Sequence, residues 1–270
     1  MLTNPRSDRV KVVRALSRRS VRSRTGEFLA EGPQAVREAV AFRPDLVRDV
    51  YVTPDAATRH PGIVGAARAS SLWVHEVSPE VLAAMVDTDS PQGIAAVCRV
   101  LDVPLERVVA DLPPDALVCV LTNVRDPGNA GTVIRGADAA GADAVIVSDS
   151  SVDVYNSKVV RSTVGSLWHL PISVGAAVAD IVAALRGRGV RLLAADGAGT
   201  TLLHELDLGR GSGGNAWVMG NEAWGLPAEI REACDEVVRV PIYGHAESLN
   251  LAMAATVCLY ASAEARRVTG

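Results

Sequence analysis

Along the second half of the chain, short apolar runs alternate with stretches of small and charged residues. ALVCVLT (116–122), AVIVSD (144–149), LPISV (170–174), VRLLAAD (190–196), NAWVMGN (215–221) and EVVRVPI (236–242) are rich in Val, Ile and Leu. Runs of this kind read as strands covered on both faces of a sheet. Between them AGTVIRGADAAG, NSKVVRSTVGSLW, AAVADIVAALRGRG and PAEIREAC read as helices, and SLNLAMAATVCLYASAEARR as a long closing one. The pattern predicts an α/β domain with a mostly parallel sheet.

The first part reads as smaller alternating units. A helix is expected over 5–24, a strand at FLAEG, and a helix through PQAVREAVAF with Pro33 in its first turn. Strand VRDVYVT (47–53), a helix near 62–70 and strand SLWVHEV follow. SPEVLAAMV has Ser78 as N-cap and Pro79 at the first helical position, and IAAVCRV (94–100) closes the unit as a strand. The stretch after it holds Pro104, Pro113 and Pro114 and reads as a linker. The expected organisation is an N-terminal domain over 1–105, a linker over 106–115 and a second domain over 116–270.

Composition narrows this picture. Aromatic residues make up only 4% of the chain, so the core must be built from Ala, Val and Leu; Trp73, Tyr51 and Phe42 are assigned to it. No apolar stretch reaches the roughly 18–20 residues that span a bilayer, and the opening MLTNPRSDRVK has no apolar signal region. A cytoplasmic protein with no membrane partner is expected. Cys98, Cys119, Cys234 and Cys258 form no C-x-x-C pair and read as reduced core thiols, and the five His show no ligand spacing, so no metal is expected.

Charge is unevenly placed. Residues 1–24 carry Arg6, Arg9, Lys11, Arg14, Arg18, Arg19, Arg22 and Arg24 against Asp8 alone, a net of +7 in a chain whose total is −4, which leaves −11 for the remainder. Such a segment is either a polyanion contact or an Arg-rich solvated helix.

Several familiar motifs fail. Gly209, Gly211 and Gly214 spell G-x-G-x-x-G but precede a strand rather than open a helix, which, with no ribose-binding acid after the first strand, argues against a nicotinamide-dependent enzyme. No G-x-x-x-x-G-K-[ST] and no G-x-S-x-G is present. Ligands of open α/β sheets sit beyond the carboxyl ends of the strands, and three turns there are dense in polar residues: 122–135, 219–227 and 241–250. In the first, Pro127-Gly128 makes a turn and Asn129 is a natural N-cap for a helix from about Ala130. Arg135 is not explained by the turn; its guanidinium stays charged and must meet an anion or solvent. Arg125 and Asp126 are either an RNA contact or a surface ion pair. In the third turn Ser248 is either the N-cap of the last helix or a site residue, and Asn250 is less easily given a structural role.

Together the three turns resemble the SpoU (TrmH-like) family of S-adenosylmethionine-dependent RNA ribose 2′-O-methyltransferases. The first motif of that family, N-x-x-x-P-x-N-x-G-x-x-x-R, is matched by Asn123, Pro127, Asn129, Gly131 and Arg135; the second by VMGNEAWGL (218–226) with Gly220 and Glu222; the third by VPIYGHAESLNL (240–251) with Ser248-Leu249-Asn250. The first part is similar to the small L30-type RNA-binding domain of the family. The resemblance implies a catalytic domain with a C-terminal trefoil knot, acting as a homodimer without a metal. It implies that S-adenosylmethionine lies against Met219, Gly220, Val240, Ile242 and Leu249, with Ala195 and Gly197 nearby. It implies catalytic roles for Arg135, Asn129, Glu222, Ser248 and Asn250: Arg135 on the phosphate or ribose, the others orienting the ribose and holding Arg135. RNA contacts are then expected from Arg6, Arg9, Lys11, Arg14, Arg18, Arg19, Arg22 and Arg125. Ribosomal RNA is the favoured substrate, with transfer RNA or a non-catalytic RNA-binding assembly factor as the alternatives.

Overall fold

The apolar runs form two separate sheets. A computed structural model describes residues 1–209 and 212–268 and divides into two units, residues 1–101 with 155–169, and residues 102–154 with 170 onward. Arg210 and Gly211 of the Gly-rich loop lie outside the described residues.

The first unit runs α1 (Asp8–Ala15), α2 (Arg19–Thr25), β1 (Glu27–Glu31), α3 (Pro33–Phe42), β2 (Val47–Val52), α4 (Pro54–Arg59), α5 (Pro61–Ala69), β3 (Trp73–Glu76), α6 (Pro79–Met85) and β4 (Ile94–Arg99). The strand order is β1-β4-β2-β3, with β4 antiparallel to β1 and β2, and β3 parallel to β2 at the edge. Four of its helices start on a proline, where the fixed φ fits and the missing N–H has no partner to lose. Thr53 and Ser78 cap α4 and α6, accepting from the amides of Ala56 and Val81. Val10, Val13, Leu16, Tyr51, Val81, Leu82 and Met85 form the core between the sheet and the helices α1 and α6.

Three expectations for this unit are corrected. The helix over 5–24 is two helices broken at 16–18. Arg22 folds back across the break and donates to the carbonyls of Leu16 at 2.8 Å and Ser17 at 2.7 Å, satisfying the exposed end of α1. It is only 5% exposed, so Arg22 is a structural residue and is withdrawn from the RNA contacts. Tyr51 is buried as expected, but Trp73, at the start of the edge strand β3, is 73% exposed, and Phe42, at the end of α3, is 56% exposed.

The second unit and its intervening helix run α7 (Leu105–Ala110), β5 (Leu117–Leu121), α8 (Pro127–Ala140), β6 (Ala144–Ser148), α9 (Ser157–Ser162), β7 (Ile172–Ala176), α10 (Val178–Gly187), β8 (Arg191–Ala195), β9 (Thr201–Leu202), β10 (Asn215–Met219), α11 (Ala228–Glu232), β11 (Glu236–Arg239) and α12 (Leu251–Val268). Among the described residues these strands pair in the order β7-β6-β5-β10-β8-β11-β9, every pairing parallel. One face packs on α7, α10 and α11 through Val118, Ile146, Leu192, Val218, Ile181 and Leu185. The other packs on α8 and α12.

Two segments differ from the expected domain boundaries. The proline-rich stretch read as a linker contains α7, whose Leu105, Val108 and Val109 are buried in the second core; its prolines mark helix limits. Residues 155–169, with α9, pack in the first unit instead. There the rings of Tyr155 and Trp168 lie 4.7 and 5.6 Å from Phe28, and Arg161 pairs with the buried Glu31 at 2.7 Å.

Helix α12 is fastened to the sheet by a buried polar chain. Trp217 Nε1 donates to Ser262 Oγ at 2.8 Å, and Ser262 Oγ donates to Asn215 Oδ1 at 3.0 Å. Replacing Ser262 by Ala strands two buried polar groups and is expected to lower stability by about 1–3 kcal/mol. Urea unfolding checks this: the midpoint should fall with the slope unchanged.

Candidate active site

Because all strands of the second sheet run the same way, the turns after β5, β8, β10 and β11 gather at one edge. The turn after β5 enters α8 through Asn123, which holds φ +57°, a left-handed conformation that Asn tolerates better than most residues. Helix α8 then starts at Pro127, one turn earlier than expected. Its N-cap is Asp126, not Asn129: Asp126 Oδ1 accepts from the Asn129 amide at 2.7 Å. An acidic cap followed by Pro at the first position suits the helix dipole.

That shift releases the Asn129 side chain. Its Nδ2 donates to Glu222 Oε1 at 3.2 Å, and its Oδ1 accepts from Asn250 Nδ2 at 3.0 Å. The three turns are therefore joined by one relay, Asn250 to Asn129 to Glu222. Asn250 Oδ1 also accepts from the Ala252 amide at 2.9 Å. Asn250, rather than Ser248, thus caps α12. Ser248 is exposed, and Arg135 and Arg125 are exposed on α8 and in the turn before it.

A cavity of about 590 Å³ opens beside the relay. Its walls are Ala195 and Gly197 after β8, Met219 and Gly220 at the end of β10, and Val240, Ile242 and Leu249 after β11, with Glu222 and Ser248 at the same opening. Asn129, Asn250 and Arg135 do not line it. Two glycines shape it. A Cβ on Gly220 would fall 2.5 Å from the carbonyl of Gly225, and one on Gly225, at φ +69°, would fall 2.6 Å from Asp196 Oδ2. The wall is thus largely backbone, closed by reciprocal bonds between Asn221 and Gly225 of 2.8 and 3.0 Å.

Three residues of this arrangement escaped the sequence reading. Asp196 accepts from the amides of Ala198 and Leu226, both at 2.9 Å, and pins the β8 turn to the β10 loop. Asn221 donates to the Asn123 carbonyl at 3.0 Å and ties the β10 loop to the β5 turn. Trp224 lines the cavity and is 59% exposed. The available signal was position: Asp196 follows β8 at the same sheet edge as the dense turns.

Asp196, Glu222 and Glu247 line the cavity together with Arg239, an excess of carboxylate suited to a cationic ligand. Burial pushes the thiols of Cys119 and Cys258 up to about 12 and that of Cys234 up to about 11, so none is a ready thiolate nucleophile at neutral pH. Among the described residues no cluster of three or more His, Cys, Asp or Glu is arranged to hold a metal, and no helix is long and apolar enough to cross a membrane.

The profile of the SpoU rRNA Methylase family matches residues 116–260, and that of the MRM3-like substrate binding domain matches residues 7–96. The chain is 34% identical over 259 residues, covering 96% of it and 97% of the relative, to the 23S rRNA (guanosine(2553)-2'-O)-methyltransferase RlmP of Bacillus subtilis. It is 31% identical over 272 residues, covering 94% and 88%, to a 23S rRNA (uridine(2479)-2'-O)-methyltransferase of Streptomyces viridochromogenes. A crystal structure of an AdoMet-bound rRNA methyltransferase from Sinorhizobium meliloti superimposes with a TM-score of 0.85 at 30% identity, covering 97% of each chain.

The glycine packing makes a direct prediction. Gly220→Ala must push the Gly220 and Gly225 strands of the loop apart and is expected to weaken binding of S-adenosylmethionine at least about tenfold, or about 1.4 kcal/mol. Titration calorimetry checks this, with circular dichroism to confirm the fold; undiminished affinity would mean the loop is not a cofactor wall.

Proposed function

The chain belongs to the SpoU rRNA methylase family, and we propose that it transfers the methyl group of S-adenosylmethionine to one ribose 2′-hydroxyl of ribosomal RNA. The observation that carries this reading is the Asn250–Asn129–Glu222 relay, which joins all three motif turns beside a cavity with a backbone wall.

The cavity fits the cofactor. Its volume lies in the range of small-molecule sites, and the close approach of Gly220 to Gly225 leaves backbone where a side chain would intrude. Ala195, Gly197, Met219, Gly220, Val240, Ile242 and Leu249 would hold it, with carboxylates toward its positive groups. Bound S-adenosylmethionine supplies a methyl group activated by sulfonium charge, so the protein contributes chiefly position.

The exposed Arg135 supplies a permanent cation. It acts as a cation rather than as a general base: it clamps the phosphate of the target nucleotide and stabilises charge developing on the 2′-oxygen, and the phosphate takes the proton. Asn129, Glu222 and Asn250 hold α8 in register with the two other loops, and Ser248 contacts the ribose. The apolar stripe Met253, Val257 and Tyr260 on α12 is 63%, 42% and 40% exposed, which supports a homodimer through this helix. The parallel sheet and α12 packed back against α8 support the trefoil knot as the threading of these loops. In the first unit Arg6, Arg9, Lys11, Arg14, Arg18 and Arg19 are all exposed, which supports RNA binding there. The protein works in the cytoplasm with its RNA.

Methyl transfer from radiolabelled S-adenosylmethionine to unmodified ribosomal and transfer RNA tests the reading. Label is expected in ribosomal RNA and lost at least about a hundredfold in Arg135→Ala; Arg135→Lys is expected to stay severely impaired, because an ammonium lacks the rigid planar pair of donors that grips two oxygens in parallel. Label confined to transfer RNA would overturn the substrate, and no label on any RNA or ribosomal particle would overturn the activity. Replacing the exposed Arg6, Lys11, Arg14, Arg18 and Arg19 by Gln, which leaves the buried Val10, Val13 and Leu16 in place, is expected to lower RNA affinity and flatten its dependence on salt; filter binding across salt concentrations reads both, and an unchanged slope would exclude that segment from the contact.

A further inference from the structure

The first unit carries an aromatic side chain that its fold does not use. Trp73 opens the edge strand β3 and is 73% exposed. Its neighbour two residues on, His75, lies on the same face of the strand, about 7 Å along it. That neighbour is fully engaged: the His75 ring stacks on Tyr51 with centroids 5.1 Å apart, and its Nε2 lies 2.7 Å from Asp49 Oδ1. The guanidinium of Arg9 sits 3.1 and 3.2 Å from the two ring nitrogens.

Two features place cations beside this strand. The chain start is anchored there, with Leu2 N donating to Glu76 O at 2.8 Å and Ser78 N to Leu2 O at 2.9 Å. Helix α1 follows, and its Arg9 is held against β3 through the His75 ring. An exposed indole with a guanidinium held two residues along the same strand matches the two requirements of an unpaired nucleotide: a π-face for the base and a cation for its phosphate.

We propose that Trp73 is a stacking platform for one unpaired base of the RNA, with Arg9 on the adjacent phosphate. This rests on the reading of the first unit as an RNA-binding domain and adds to it a preference for RNA carrying an unpaired base. RNA is favoured over a protein partner because residues 1–24, anchored on β3 through Leu2, have a net charge of +7. A stacked base explains the exposed ring and the charge together.

The test uses the full chain, a hairpin RNA with an unpaired loop, and a fully paired duplex of equal length. Trp73→Ala is expected to weaken binding to the looped hairpin by roughly ten- to a hundredfold, leave duplex binding and the salt slope unchanged, and leave S-adenosylmethionine binding intact. Trp73→Phe, which keeps a π-face, is expected to stay within about threefold of the wild type. Arg9→Ala is expected to lower the salt slope by about one. Equal loss on both RNAs, or no loss on either, overturns the platform while leaving the RNA-binding domain in place. A change of oligomeric state in Trp73→Ala with RNA binding unchanged overturns it in favour of a protein contact. No RNA binding by the wild type overturns the platform and the reading of the unit together.

Discussion

One carboxamide connects the three turns of the second unit. Asn129 gives a hydrogen to Glu222 and takes one from Asn250, while its backbone amide is already committed to the cap of α8. Only a side chain with both a donor and an acceptor can stand between a carboxylate and an amide donor. Aspartate would set two carboxylates against each other, and an aliphatic residue would leave both neighbours without partners. The relay also relies on Asp126. Had Asn129 been the cap, its oxygen would have been occupied by an amide of its own helix.

The relay sets where α8 and α12 lie relative to the β10 loop, and backbone contact sets the rest. At Gly220 and Gly225 the loop folds on itself closer than any side chain permits, and Asp196 closes it from the β8 turn. Gly136 plays a comparable part between the helices: a Cβ there would come 2.8 Å from Thr256 Oγ1. The cavity is therefore shaped by main chain that cannot move without breaking several short contacts. This is the preorganisation that a transfer limited by alignment needs.

Much of this was legible from residue patterns. Unbroken runs such as LVCVL and AVIVS announced a sheet covered on both faces, and the density of Asn, Arg and Glu after three strands marked the turns that the relay joins. What escaped was set by tertiary partners. A Pro-Gly-Asn stretch permits a cap at either Asp126 or Asn129, and only the arrival of Glu222 and Asn250 separates them. Ser248 and Asn250 are both good caps, and the choice again depends on Asn129, more than a hundred residues away. The break at 16–18 depends on Arg22 turning inward, which no helical period reveals. Composition misled at 102–115, where prolines bounding a buried helix look like those of a linker, and at Trp73, whose size suggested a core that does not reach it.

The same inward turn bears on charge. With −11 spread over the rest of the chain, the protein as a whole repels a polyanion, so any RNA contact must be made through local positive surface. Of the eight cations in residues 1–24, Arg22 satisfies two carbonyls, and the others remain at the surface. Near the site the same rule holds on a smaller scale: Arg125 and Arg135 are exposed, while carboxylates face the cavity. On the proposed reading, one acidic protein offers anionic walls to a cationic methyl donor and cationic points to an anionic acceptor. Opposite signs at the two binding surfaces favour the right occupant at each, because exchanging donor and acceptor would place like charges together.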